Sequence, residues 1–185
     1  MKKLEVFGAA KLKGQVKISG SKNASLPILA ATLLSDKRIS LTNIPRVKDV
    51  ETMIKLLESM GSKVKVLKNK NSLIIKNDKI IKAEASYDLM STMRAGIIVL
   101  GPLLARFGKA RASIPGGCNL GFRPIDIHLE ALKKMGVKYK LVDGYINAKA
   151  KNGLVGAKIK FPKISVGATE NLMIAACLAK GQTVL

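Results

Sequence analysis

The sequence predicts an α/β protein built from repeated βαβαββ units, and three observations carry that expectation. Helical and strand-like hydrophobic periodicities alternate along the chain. The junction Met60-Gly61-Ser62-Lys63-Val64, where an amphipathic helix stops on glycine and a strand begins, returns as Met135-Gly136-Val137-Lys138-Tyr139. A third copy opens at Val166-Gly167-Ala168-Thr169 and has begun its second strand when the sequence reaches Leu185. The expectation is two full units and the start of a third, at a period of roughly seventy residues, within a fragment of something longer.

The elements follow in order. Leu4–Phe7 and Gln15–Ile18 read as strands separated by a turn at Gly14. A helix is expected from Asn23 to Leu34, with Pro27 in its first turn, where proline is tolerated. Ile39–Leu41 reads as a strand. Val50–Met60 is an amphipathic helix with Met53, Ile54, Leu56, Leu57 and Met60 on its apolar side. Val64–Leu67 and Ser72–Lys76 form a hairpin. The pattern then repeats, with a helix over Leu89–Leu104, a strand over Arg111–Ile114 and a helix over Ile125–Met135. Strands Val137–Val142 and Tyr145–Ala148 flank the turn Asp143-Gly144. The third unit supplies a helix over Glu170–Ala179 and a turn at Gly181.

Composition narrows the class. Apolar residues make up 48% of the 185 residues and aromatics only 4%, so aliphatic side chains and methionine must build the core. The net charge of +21 is compatible with nucleic acid, a membrane surface or an anionic substrate. The lysines are spread evenly, however, with neither a long block nor interleaved aromatics, which reads as a solvated surface and not as a nucleic-acid interface. The N-terminus lacks the long apolar run of a signal peptide. The longest apolar stretch, Ala95 to Ala105, is too short to span a bilayer. Two cysteines make no disulfide framework, and a reducing cytoplasm fits all of these features. Cys177, in an apolar helical run, is expected to be buried.

Cys118 is different. It sits in Pro115-Gly116-Gly117-Cys118-Asn119-Leu120-Gly121, where glycines leave the thiol uncrowded, with Arg123 five residues on and a helix just beyond. That arrangement presents a reactive thiol beside an anion-binding surface. Lys22 stands at the mouth of a helix in Gly20-Ser21-Lys22-Asn23, where backbone dipoles favour phosphate. Arg94 lies in an apolar helical run and must be paired, either structurally or with a ligand; the residues leave both open. Ser165-Val166-Gly167 can be an ordinary turn before a helix or a set of backbone amides aimed at an anion. His128, the only histidine, reads as a satisfied helix residue with no proton-transfer role.

Taken together, Gly20–Pro27, Thr92–Ala95, Pro115–Cys118, Gly121–His128 and Ser165–Thr169 resemble the enolpyruvyl transferases, within them the branch that acts on UDP-N-acetylglucosamine. The resemblance runs from Leu4 to Leu185. It implies an inside-out α/β barrel fold, here as one incomplete domain. Residues 1–20 would be strands belonging with a second domain outside this chain, and 21–185 the first domain with its third repeat cut short. It implies transfer of the enolpyruvyl group of phosphoenolpyruvate to a sugar hydroxyl with release of phosphate, the first committed step of peptidoglycan synthesis, without cofactor or metal. Neither membrane nor nucleic acid is an expected partner; the second domain is, because it would carry the remaining catalytic groups, and this chain alone would be inactive.

The resemblance also assigns roles. Cys118 would protonate carbon 3 of phosphoenolpyruvate and would be the target of the thiol-directed epoxide fosfomycin. Lys22, Asn23 and Arg123 would bind phosphoenolpyruvate. Arg94, Arg123, Pro124, Ile125, Asp126 and Ile127, with Lys163, Ile164, Ser165, Val166 and Gly167, would hold UDP-N-acetylglucosamine. Ile98 stands where some members carry a larger aromatic near the sugar. Two rival readings follow from the same residues. A shikimate-pathway enolpyruvyl transferase shares the fold but lacks the Pro-Gly-Gly-Cys loop, and a basic nucleic-acid-binding module would need only the charge.

Overall fold

The computed structural model describes residues 3–8, 11–67, 71–116 and 125–185. The second repeat shows the whole unit. Strand β4 (Glu84–Ala85) leads into a broken helical segment, made of α3 (Tyr87–Met90), a 3-10 turn (Arg94–Val99) and α4 (Leu100–Phe107). Then come β5 (Lys109–Ser113), α5 (Asp126–Lys134), β6 (Lys138–Val142) and β7 (Tyr145–Lys149). The sheet order is β4-β5-β7-β6, with β4 and β5 parallel and the other pairs antiparallel. The first repeat contains α1 (Lys22–Ala31), β1 (Ile39–Leu41), α2 (Lys48–Ser59), β2 (Lys63–Val66) and β3 (Leu73–Lys76). Its sheet, β1-β3-β2, is the same order without the leading strand. In the third repeat, helix α6 (Val166–Ala176) lies between two short parallel bridges, Val155 to Lys180 and Lys158 to Val184. That is the β4-helix-β5 arrangement begun again. Two sheets are formed and no barrel closes among the described residues.

One aliphatic core joins the three units. Leu29, Leu33, Met53, Leu56, Leu57, Leu100, Leu103, Leu104 and Leu132 have no measurable exposure. Burying a side chain of this size contributes about 1.5–3 kcal/mol. Helix α4 packs on α6 and α1 on α2. The strands alternate inward and outward as their sequence does: Ile146 and Ala148 are buried while Lys149 is exposed. The outer faces collect lysine. Lys63 stands opposite Lys76, and Lys149 stands between Lys138 and Lys109. Like charges directly opposed across strands are unfavourable unless solvated, and Lys63, Lys76, Lys109, Lys138 and Lys149 are all exposed.

Several expectations need correction. The segments expected as strands at 4–7 and 15–18 form none, and Leu4, Val6, Phe7, Leu12, Val16 and Ile18 are exposed. A strand needs a partner for its backbone groups, and no described strand pairs with this arm. The first helix ends at Ala31 and tightens to a 3-10 turn over Thr32–Leu34. Its cap is Ser21, so Pro27 is the sixth helical residue and not in the first turn. The long helix expected over Leu89–Leu104 is broken, because Met93 is extended at φ −143, ψ 106. Helix α6 begins at Val166, four residues before the expected Glu170, because Ser165 caps it. Cys177 is exposed, with its Sγ donating to the Met173 carbonyl at 3.4 Å. The hairpin turn is as expected, with both Asp143 and Gly144 at positive φ (51 and 74).

Candidate functional site

The breaks and starts of these helices converge on one cleft of about 860 Å³. Three segments build it. The first is the N-terminal turn of α1, where the Ser21 side chain accepts from the Ala24 N–H at 3.3 Å. This cap fixes the turn and places Lys22 and Asn23 on the cleft wall. The second is the extended break at Thr92-Met93, which turns Arg94, Ala95, Ile97 and Ile98 toward the same space. The third is the start of α6, where Ser165 repeats the cap on the Ala168 N–H at 3.3 Å. Lys163, Ile164, Ser165, Val166 and Gly167 line the cleft there. Ile127 and His128 of α5 close the floor, both only 7% exposed.

Nine of the residues expected to bind ligand therefore share one cavity: Lys22, Asn23, Arg94, Ile127, Lys163, Ile164, Ser165, Val166 and Gly167. Ile125 and Asp126 sit next to it, as the cap and first residue of α5, and do not line it. Cys118, Arg123 and Pro124 lie outside the described residues. The stem of the cysteine loop is described at Gly116, whose N–H donates to the Met90 carbonyl at 3.2 Å. A Cβ there would stand 2.1 Å from the Ser91 carbonyl oxygen, so the backbones touch and only glycine fits. The stem is thereby anchored beside Thr92, on the cleft wall. Ile98 is 4% exposed and reaches the cleft.

The electrostatics favour an anionic ligand with polar edges. Lys22 Nζ lies 2.9 Å from Asp49 Oδ2, both half-exposed, so the ammonium is held at the cleft mouth and not spent in a buried pair. Arg94 and Lys163 add two further cations. Glu170 lies on the same wall, and burial raises its pKa. His128 has its pKa lowered to about 4, first by burial and then by the Arg94 charge, against a smaller opposing pull from Asp126. At neutral pH its imidazole is uncharged. Two helices of ten and eleven residues direct their first-turn N–H groups here, and such ends attract phosphate oxygens. Among the described residues no group of three or more His, Cys, Asp or Glu could hold a metal ion.

Asp49 and Glu170 line the site although neither was singled out from the sequence, and Thr92 and Met93 line it as members of the Thr92–Ala95 motif that had no role assigned. Asp49 carried one signal, its place in the first turn of α2, where acidic residues are common for helix-dipole reasons alone.

Residues 6–185 match the EPSP synthase (3-phosphoshikimate 1-carboxyvinyltransferase) family. The chain belongs to this family. It is 71% identical over 185 residues to a UDP-N-acetylglucosamine 1-carboxyvinyltransferase of Pelagibacter ubique, covering all of this chain and 44% of that protein. It is 52% identical over 186 residues to the enzyme of the same description from a Sulfurovum species, covering 43% of it. The chain thus spans less than half the length of the curated relatives it matches. Two solved enolpyruvyl transferase structures share the fold. The enolpyruvyl transferase NikO of Streptomyces tendae superposes with a TM-score of 0.78 at 19% identity, over 95% of this chain and 41% of its own. An EPSP synthase of Acinetobacter baumannii does so with a TM-score of 0.70 at 16% identity, over 92% and 39%. No helix among the described residues is long and apolar enough to cross a membrane.

Proposed function

We propose that the protein transfers the enolpyruvyl group of phosphoenolpyruvate to the 3′-hydroxyl of UDP-N-acetylglucosamine and releases phosphate, and that this chain supplies one wall of the site. The observation that carries the reading is the cleft itself, in which two serine-capped helix starts, Lys22, Arg94 and Lys163 face one cavity. Its volume suits a ligand of sugar-nucleotide size. The 71% and 52% identical relatives support the choice of acceptor.

In this reading Lys22 and Arg123 neutralise the phosphate and carboxylate of phosphoenolpyruvate, and Asn23 orients it against the sugar. The Cys118 thiol gives its proton to carbon 3, which makes carbon 2 electrophilic. The sugar oxygen bonds to carbon 2 and its proton passes to a base outside this chain. The Cys118 thiolate then takes a proton back from carbon 3, which re-forms the double bond as the carbon 2–phosphate oxygen bond breaks and phosphate leaves. Backbone amides at 165–167 and the 123–127 segment hold the nucleotide, with Arg94 beside it. The second domain, which the arm 1–20 would join, closes over the substrates and excludes water. The place of this step at the head of peptidoglycan synthesis, in a reducing cytoplasm, belongs to the same proposal.

The test uses two proteins, this chain alone and this chain fused to the remaining span of the Pelagibacter ubique relative. Phosphate release is followed with phosphoenolpyruvate and either UDP-N-acetylglucosamine or shikimate 3-phosphate. Turnover with the sugar nucleotide by the fusion only, blocked by fosfomycin on Cys118 and not on the exposed Cys177, is expected. Turnover with shikimate 3-phosphate in its place would overturn the reading.

A further inference from the structure

The floor of the cleft contains a hydrogen-bond relay that the mechanism above does not use. Asn171 of α6 has no measurable exposure. Its Oδ1 accepts the Gly101 backbone N–H at 2.8 Å. Its Nδ2 lies 3.4 Å from the Ile97 carbonyl and 3.1 Å from His128 Nδ1. The amide orientation follows from its partners. A backbone N–H only donates, so the atom facing Gly101 must be the oxygen; a carbonyl only accepts, so the atom facing Ile97 must be the nitrogen. The Nδ2 hydrogens therefore point at His128, and Nδ1 must be an acceptor without a proton. A neutral imidazole then carries its hydrogen on Nε2.

The arrangement is tightly held. A Cβ on Gly101 would stand 2.3 Å from Asn171 Oδ1 and 2.5 Å from its backbone oxygen, so α4 and α6 meet at backbone distance. On the other side of the ring, Nε2 is 3.7 Å from where a Gly167 Cβ would stand, at the start of α6 on the cleft wall. No described residue accepts from Nε2. The charged groups around the cleft floor are Arg94 from the 3-10 turn, Asp126 from α5 itself, Glu170 from α6 and Lys163 before it. Burial and Arg94 both oppose a second proton on the ring.

We propose that Asn171 is a positioning residue that locks His128 in the Nε2–H tautomer, so that the cleft floor offers one neutral hydrogen-bond donor to an oxygen of the bound sugar nucleotide. The ligand half of this statement rests on the function proposed above; the tautomer half does not. A neutral donor suits a site already rich in cations, because it favours an oxygen in a fixed place without adding charge.

The experiment is performed on the fusion of this chain with the remaining span of the Pelagibacter ubique relative. Nitrogen-15 NMR of the ring, without ligand at pH 7, should show hydrogen on Nε2 and a bare Nδ1; the reverse tautomer overturns the proposal outright. Asn171→Asp keeps an oxygen for Gly101 and turns a carboxylate toward Nδ1, so it should move the hydrogen to Nδ1 and raise the His128 pKa. UDP-N-acetylglucosamine binding is then measured by calorimetry. His128→Met, which loses the donor, should weaken binding roughly tenfold or more, while His128→Gln, which keeps an N–H on that side, should stay within about threefold. The loss should appear in KM and leave kcat nearly unchanged. Wild-type affinity in His128→Met overturns the ligand half. If the wild-type protein binds no UDP-N-acetylglucosamine, the function proposed above fails, and the tautomer result alone decides the lock.

Discussion

Helices α1 and α6 open the first and third repeats in the same way, and the second repeat does not follow them. Ser21 and Ser165 both cap with the side chain, each at 3.3 Å from the N–H three residues on. Ser25 and Thr169 both return a hydroxyl to the cap carbonyl, at 2.8 and 2.9 Å. The second repeat has the helix start twice, at Tyr87 and again at Arg94, with no side-chain cap at either place. The difference shows two ways of making one cleft wall attractive to an anion. Two repeats use neutral backbone N–H groups fixed by serine. The second repeat uses an extended residue, Met93, to break the helix and place Arg94 on the cavity wall. A backbone end is rigid but weakly charged; an arginine carries a full charge and must be oriented by its surroundings.

The sharpest way to break the comparison is at the seam between the second and third repeats. Gly101 has no room for a methyl, because α6 touches the α4 backbone there. Gly101→Ala should cost about 3 kcal/mol or more, from forced separation of the helices and the strained Asn171 contact. Chemical denaturation of the fusion protein would measure it. A cost below about 1 kcal/mol would mean that the helices are not held at backbone distance.

A second, somewhat smaller effect comes from acid. His128 is folded with a pKa of about 4 against an ordinary 6.5. The unfolded chain therefore binds the proton more readily, and stability falls as pH drops from 6.5 toward 4, while it is unaffected above that window. The loss is on the order of 1 kcal/mol per pH unit inside the window, and His128→Gln should remove it. Denaturation midpoints recorded between pH 7 and 4 would show whether wild type and variant converge at the acid end. Parallel curves would mean that the ring is solvated in the folded state.

The difference between repeats also marks what could be read in the chain. The amphipathic helix α2, the hairpins and the Asp143-Gly144 turn depend on local periodicity and turn chemistry, and they sit where expected. The strands expected at 4–7 and 15–18 do not, since alternation is visible locally but a pairing partner is not. The break at Met93 has no breaker residue; Gly96 and Pro102 come after it, so an apolar run read as one helix. In the site, Lys22, Asn23, Arg94, Ile127 and 163–167 were legible through motif context, and the structure gathers them. Asn171 was not, because a lone asparagine in an apolar helix has no pattern; only the contacts with Gly101 and His128 from other elements give it meaning.

The smallest effect tests whether the two serine starts are equivalent. Ser21→Ala and Ser165→Ala each remove one side-chain acceptor from the first turn of a helix. Each should cost about 1 kcal/mol of stability. The two costs should match within about 0.5 kcal/mol and add in the double variant, because each cap serves its own helix and no partner is shared. Serine to threonine at either place should recover most of the loss, since the acceptor oxygen is kept. Arg94 provides the contrast: it lines the cleft and is neither of the two serine caps, so its removal should weaken anion binding without the same signature in the caps. Urea titrations of the four proteins would settle the matter, and a cost at Ser165 several times that at Ser21 would show that α6 depends on its start in a way that α1 does not.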